Sequence, residues 1–414
     1  MSLVPRSIDE WLVREILKFI GPAPIQLIFQ NGEPIAPPGV SPVATLMIPD
    51  RRTLWGLVLD PEVAFGEAYT DGRIHVDGDL VALLEAAYGA AAEAPACLYS
   101  RLADKWTNFR QSNTLSASRH NIHRHYDLGN DFYKLWLDPQ LVYTCAYFPT
   151  PSATLEDAQI AKMDYVCRKL RLQPGETVVE TGCGWGALSL HMARHYGVSV
   201  KAYNISHQQI VFARERARQE GLSKQVEFIE EDYRHATGKF DVFVSVGMLE
   251  HIGVANYQGL GRIIHRLIGD SGRGFLHFIG RNYPTQLSRW IRKHIFPGAC
   301  PPSLDQAAEI FEPSNFSVLD VENLRLHYAK TLEHWLDRFE HSRDHVSAMY
   351  DPSFVRAWRL YLAGSVAAFR GGTLQLFQIL FCGSRCEPVF WTRAPLYTEE
   401  PSAAEATKWI TATS

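Results

Sequence analysis

Absences set the first bounds on this 414-residue chain. Its cysteines (Cys97, Cys145, Cys167, Cys183, Cys300, Cys382 and Cys386) are seven, an odd number, scattered and without a Cys-x-x-Cys pair. That argues against a disulfide framework or a zinc site, and it makes a reducing cytosol the expected compartment. Charge of one sign is lacking too. The 41 Lys and Arg against 45 Asp and Glu give a formal net charge of -4, so composition offers no reason to expect nucleic acid. Long apolar runs are missing: the nearest, "LVALLEAAYGAAAEAPACL", is interrupted by Glu85, Glu93 and Pro95 and reads as an alanine-rich helix instead of a membrane span. The opening "MSLVPRSIDEW" carries acids and no apolar signal core. A soluble protein is expected. With 46% hydrophobic residues, the chain has material for two or three cores.

What is present divides the chain. Residues 1–95 read as a small α+β unit: "PIQLIFQNGEPI" is a hairpin signal around Asn31-Gly32, "VATLMI" and "TLWGLVL" look like strands, and "GDLVALLEAAYG" closes with helix. Residues 96–150 are polar, basic and aromatic, a linker and helical lid. From 151 to about 400, strands and helices alternate: "TVVE", "ALSLHMARHYG", "VSVKAYNI", a helix over 207–220, "VEFIEED", "FDVFVSVGM", "YQGLGRIIHRLIG" and "GFLHFIG". This alternation predicts an α/β doubly wound parallel sheet, with "LQLFQILFCG" as a possible antiparallel edge. Residues 401–414 form a tail. Ser206 with Gln209 is expected to make a capping box.

Glu180, Gly182, Gly184 and Gly186 form ExGxGxG between a strand and a helix. Dinucleotide folds use GxGxxG and an acid ending the second strand; here the spacing differs and "VKAYNI" brings no acid. A nucleoside without pyrophosphate fits better, and S-adenosylmethionine is the candidate. A tight turn binding nothing is the plainer alternative. In "VSVGMLEHIG", Val244, Val246 and Met248 alternate as in a buried strand, then Glu250 and His251 arrive together. Burying a carboxylate is costly unless it is paired, so Glu250 is singled out. His251, next along the strand, should point the other way.

Six blocks in order, "HYDLGNDFYKLWLD", "YTCAYF", "ETGCGWGALS", "SVGMLEHIG", "GFLHFIG" and "FRGGTLQLFQILF", resemble the cyclopropane-fatty-acid synthases and the related mycolic acid methyltransferases. The resemblance spans roughly 65–383. It implies a seven-stranded class I methyltransferase (Rossmann-like) domain and an N-terminal domain that engages lipid. It also implies that Gly182, Gly184 and Gly186 surround the methionine end of S-adenosylmethionine, with Glu180 and Asn204 also among the cofactor-binding residues. Gln209, from "NISHQQ", would serve its ribose, and Asp232 and Tyr233 its adenine. Tyr143 and Thr144 would close over it. Gln209 as a helix cap and Asp232 as a loop cap remain the plainer readings.

Methyl transfer to a cis double bond generates a carbocation, which water must not reach. Tyr143, Tyr147, Phe148 and Phe278 are candidate lining, since ring faces stabilise cations. Ring closure then needs a base. In the resembled family it is a bound bicarbonate, and its holding residues match here as Cys145, Glu250, His277, Ile279 and Tyr328. Three positions depart from the family pattern. Ser365 stands where many members carry cysteine, while Leu249 and Phe278 replace an aromatic and a threonine and are expected to flank the base. A cyclopropane and a methyl- or methylene-branched chain therefore both stay open as product. A non-catalytic homologue and a small-molecule methyltransferase are the rivals from other classes.

The implied substrate is an unsaturated phospholipid in a bilayer, approached peripherally from the cytoplasmic inner face. "QLSRWIRKHIF" (286–296), basic and with Trp290, and "YSRLADKWTNFR" (99–110) are candidate docking segments. A surface helix packed on its own domain is the alternative for each. A homodimer is expected from the resemblance alone.

Overall fold

The computed structural model describes residues 8–93, 128–387 and 392–397, less 21–23, 31, 38 and 40. Asn31 at the hairpin corner, the segment 99–110, much of the expected lid and the tail lie outside the described residues.

In chain order the elements begin with α1 (Ile8–Ile20), β1 (Ile25–Phe29), β2 (Ala44–Ile48), α2 (Arg51–Leu59), α3 (Pro61–Thr70), β3 (His75–Gly78) and α4 (Leu80–Glu93). Strands β1 and β2 pair in parallel and β3 joins β2 antiparallel. The expected hairpin is reduced to one antiparallel bridge, Leu27 to Ile35. "TLWGLVL" is a helix and not a strand. Asp50 accepts from the Thr53 amide at 2.7 Å as N-cap, and the buried Thr53, Leu54 and Leu57 recur at helical spacing.

The remainder comprises α5 (Asn130–Lys134), α6 (Leu155–Leu170), β4 (Thr177–Thr181), α7 (Ala187–Tyr196), β5 (Ser199–Asn204), α8 (His207–Gln219), β6 (Val226–Glu230), β7 (Val242–Val246), α9 (Tyr257–Ile268) and β8 (Arg273–Gly280). Then come α10 (Arg289–His294), α11 (Leu304–Ala308), β9 (Ser317–Asn323), α12 (Arg325–His341), α13 (Arg343–Met349), α14 (Pro352–Arg370), β10 (Gln375–Cys382) and α15 (Ala394–Tyr397). Seven strands form one sheet in the order β6-β5-β4-β7-β8-β10-β9. The first five are parallel, and β10 is antiparallel to both β8 and β9. The last strand is thus antiparallel as anticipated, but it is an inner strand. Its residues are buried throughout, Gln375 and Gln378 included, whereas "SVLDVEN" of β9 carries the charges an edge tolerates.

Strand β7 ends earlier than its alternation suggested. Gly247, at φ +73°, turns the chain, and Leu249–His251 form a 3-10 turn. Glu250 and His251 are therefore not strand neighbours on opposite faces. Helix α8 is capped by Ser206, which accepts the Gln209 amide. The reciprocal half of the expected box is missing: Gln209 Oε1 accepts from Asn204 Nδ2 at 2.7 Å, and Asn204 Oδ1 takes the Ser206 amide.

The N-terminal strands and helices share a core with the catalytic part. One apolar cluster joins Leu12, Leu46, Tyr69 and Leu84 to Trp136, Tyr328, Trp335 and Tyr361. Helix α10 reinforces this junction. Trp290 is only 3% exposed and lies on Gly66 of α3, where a Cβ would come within 2.3 Å of its ring. Acids of the N-terminal part meet the basic side chains: Arg289 pairs with Asp60 at 2.5 Å, and Lys293 and His294 with Glu67 at 2.5 and 2.9 Å. The apolar face of 286–296 that resembled a bilayer anchor is turned inward, against α3.

Candidate active site

The strand order reverses between β4 and β7, and a cavity opens at their carboxyl ends, the usual ligand position in a doubly wound sheet. Of the expected residues, Tyr143, Thr144, Glu180, Gly182, Gly184, Asn204 and Gln209 line it. Gly184, at φ +53°, has nothing within 4 Å of a Cβ position, so the backbone is bare toward the cavity. Gly186 is a packing glycine and not a lining one: a Cβ there would meet the Phe228 ring at 2.5 Å. Asp232 and Tyr233 are not brought to the lining. The Asp232 carboxylate is held by the Arg234 guanidinium at 2.7 and 2.8 Å and caps the turn Tyr233–His235.

Sequence reasoning missed Lys162, Trp185, Met248 and the place of His251, all of which line the cavity. Trp185 Nε1 donates to Asn130 Oδ1 at 2.8 Å, tying α5 to the glycine turn. Gln159 of α6 donates to the Thr144 and Val142 carbonyls, and Lys162 donates to the Thr144 hydroxyl at 2.9 Å. These bonds hold "VYT" over the cavity. Burial raises the Glu180 carboxyl to about 7, although the Ser189 hydroxyl and Lys162 pull it down. Burial alone pushes His251 down to about 4, so its ring is neutral near pH 7.

A second polar set lies beside this cavity. Glu250 Oε1 accepts the Ile279 amide at 2.5 Å, and Ile279 is two residues along β8 from His277, hence on the same sheet face. His277 Nδ1 faces Gln378 Nε2 of β10 at 3.1 Å. With that amide nitrogen donating, the neutral ring carries its proton on Nε2. Burial, with Lys162 and Lys169 nearby, drives His277 well below the usual histidine range, while burial raises Glu250 to about 7. Glu250 Oε2 and His277 Nε2 are both buried and without a partner among the described residues. An unpaired acceptor and an unpaired donor fit a small polar guest such as bicarbonate. The Ile279 amide, expected to join that cage, is instead engaged by Glu250. Cys145, Ile279 and Tyr328 belong to one apolar cluster, and the Cys145 thiol is raised by burial and donates to the Ala146 carbonyl, which does not suit a nucleophile.

The aromatic surroundings also differ from expectation. Tyr143 contacts Trp335 at 5.3 Å, Trp335 contacts Tyr328 at 5.9 Å, and Tyr328 contacts Phe369 at 4.6 Å, so a line of rings runs from the cavity wall to Phe369. Tyr147 stacks on Tyr165 at 4.4 Å, and Phe148 on His334. Phe278 alternates with His277 and Ile279 and packs on Phe377 beneath the opposite face, in a cluster that includes Leu249. Phe278 therefore faces away from His277 and Ile279. Ser365, half-buried on α14, does not line the cavity.

The strand order and a glycine-turn cavity at the switch point define a class I methyltransferase fold. The chain belongs to the family described as mycolic acid cyclopropane synthetase, whose profile matches residues 113–379. It is similar to a probable fatty acid methyltransferase of Pseudomonas putida, 35% identical over 373 residues, covering 87% of this chain and 93% of that protein. It is also similar to the cyclopropane-fatty-acyl-phospholipid synthase of Escherichia coli K12, 40% identical over 258 residues, covering 62% of this chain and 66% of that one. Among solved structures it matches a mycolic acid cyclopropane synthase complexed with SAH and CTAB. The TM-score is 0.60 and the identity 31%, with 64% of this chain and 97% of that one covered. The family is that of S-adenosylmethionine-dependent methyltransferases of the cyclopropane synthase type.

Proposed function

We propose that this protein is a cyclopropane-fatty-acyl-phospholipid synthase, working on unsaturated phospholipid from the cytoplasmic face of a membrane. The alkene π pair would form the new C–C bond as the C–S bond of the sulfonium breaks. Loss of a methyl proton to a bicarbonate base would then close the ring. The observation that carries this reading is the pair of unpaired buried atoms, Glu250 Oε2 and His277 Nε2, beside the cofactor cavity.

The chain's own residues have separable tasks. Glu250 accepts the hydroxyl proton of the base, and His277 donates from Nε2 to its oxygens, with Tyr328 as a further donor. Tyr143, Trp335, Tyr328 and Phe369 exclude water and offer ring faces to developing positive charge.

A second reading, C-methylation to a methyl- or methylene-branched chain without ring closure, is favoured by the relative that spans nearly the whole chain, named a probable fatty acid methyltransferase. Expression in cells rich in unsaturated phospholipid separates the two. A mass gain of one CH₂ with upfield cyclopropyl proton signals supports the synthase. The same gain with retained or shifted olefinic signals selects branching, and no gain overturns both.

A further inference from the structure

Lys162 is 2% exposed, near the middle of α6, yet its ammonium makes one hydrogen bond, to the Thr144 hydroxyl at 2.9 Å, and no ion pair among the described residues. Burying an ammonium with so little compensation is expensive. The nearby acids are engaged elsewhere: Asp138 caps the Gln140 and Val142 amides at 2.8 and 3.0 Å, and Glu180 holds the Ser189 hydroxyl. Burial accordingly lowers Lys162 to about 8, against the pull of Cys145, Asp138 and Glu180.

Lys162 and Thr144 both line the cofactor cavity. An ammonium only donates, so Thr144 Oγ1 must accept from Lys162, and its own proton is left to point elsewhere. The pair therefore presents the remaining ammonium protons, the hydroxyl proton and a net positive charge, with one hydroxyl lone pair as the acceptor left over. Lys162 is the one side chain in the lining that carries a full positive charge near pH 7, since the only other basic residue there, His251, is neutral.

We propose that Lys162, with the Thr144 hydroxyl it orients, is the anion subsite that takes the carboxylate of the cofactor's amino-acid end. The proposal rests on the S-adenosylmethionine reading of the cavity. It gives Lys162 a binding task for which the bare protein bears the desolvation cost, and the incoming carboxylate relieves that cost.

Calorimetric titration of the full chain with three probes tests it. The probes are S-adenosylhomocysteine, its decarboxylated analogue (which keeps the amine) and 5′-methylthioadenosine (which lacks both groups). Wild type should prefer S-adenosylhomocysteine to the decarboxylated analogue by about tenfold or more, the range of a charge-assisted bond. Lys162→Met should erase that preference and leave 5′-methylthioadenosine within about twofold. Thr144→Val should reduce the preference in the same selective way, and it serves as the second arm should Lys162→Met not fold. Equal losses for all three probes in folded variants, or an undiminished preference, would overturn the subsite. Failure of wild type to bind any of them would instead overturn the cofactor reading beneath it.

Discussion

The Glu250 carboxylate and the Ile279 amide meet at 2.5 Å, so one oxygen of a buried acid is fixed on β8 while the other is left without a partner. This bond sets the direction of the acid. The acid is tied to the same strand that carries His277, and its other oxygen is the one we propose accepts from the base.

Glu250→Gln keeps the shape and one acceptor oxygen, and removes the charge. Turnover should fall by about 10²–10³-fold, the range for losing one buried group that acts on a developing charge. The dissociation constant for S-adenosylhomocysteine should stay within about twofold, because Glu250 does not line the cofactor cavity. Steady-state rates and calorimetry on the same preparation check both. A large loss of cofactor binding would remove Glu250 from the base set.

The same acid leaves a mark on stability. Its carboxyl is raised from 4.5 to about 7 by burial, so the folded chain keeps a proton that the unfolded chain has lost. In that window the native state binds more protons, and stability falls as pH rises from about 4.5 to about 7. Glu180 behaves likewise. Apo Glu250→Gln should therefore lose less thermal stability than wild type between about pH 5 and about pH 7. Parallel melting slopes for the two proteins would count against a raised Glu250.

Gln378 should act as a positioning residue. With its amide nitrogen donating to His277 Nδ1, the ring proton stays on Nε2, the nitrogen we propose donates to the base. Gln378→Met should lower turnover about tenfold, the scale on which outer partners of a site act. Nitrogen-15 histidine spectra should then show the altered tautomer, with cofactor affinity unchanged. An unchanged tautomer would reduce Gln378 to filler.

Gly66→Val should destabilise the protein by about 1–3 kcal/mol, because the new side chain overlaps the Trp290 ring. In a Trp290→Ala background the same substitution should cost clearly less, since contacting residues couple. Chemical denaturation of the four proteins closes the cycle. Additive losses would separate Gly66 from Trp290.

The alternation of strands and helices, the glycine turn and the bare Gly184 were legible because each rests on local backbone chemistry. The "TLWGLVL" helix was misread because a short apolar run has no decisive period, and the deciding signal was the Asp50 cap just before it. The inner position of β10 is set by pairing across the sheet, which a mostly apolar run only hints at. Lys162 left a faint trace. With Gln159 and Lys169 it is polar on the apolar stripe of α6, Leu155, Ala158, Met163 and Val166, where a core helix should have none. Trp290 misled because Gly66, on which it packs, and the acids Asp60 and Glu67 that pair with the basic residues around it lie more than two hundred residues away in sequence. Phe278 misled through neighbourhood in sequence: on a strand, adjacent residues face opposite sides.

Helix α14 has two faces of use. On one, Arg359 donates to the Tyr69 hydroxyl at 2.7 Å and Arg356 to the Tyr69 and Ile74 carbonyls; on the other, the Tyr361 hydroxyl meets that of Tyr143 at 2.8 Å. A single rigid rod thus serves as the common floor of the N-terminal unit and of the roof over the cofactor. Tyr69 and Tyr143 thus hang from one beam, and α3 and the wall over the cavity are braced by the same helix.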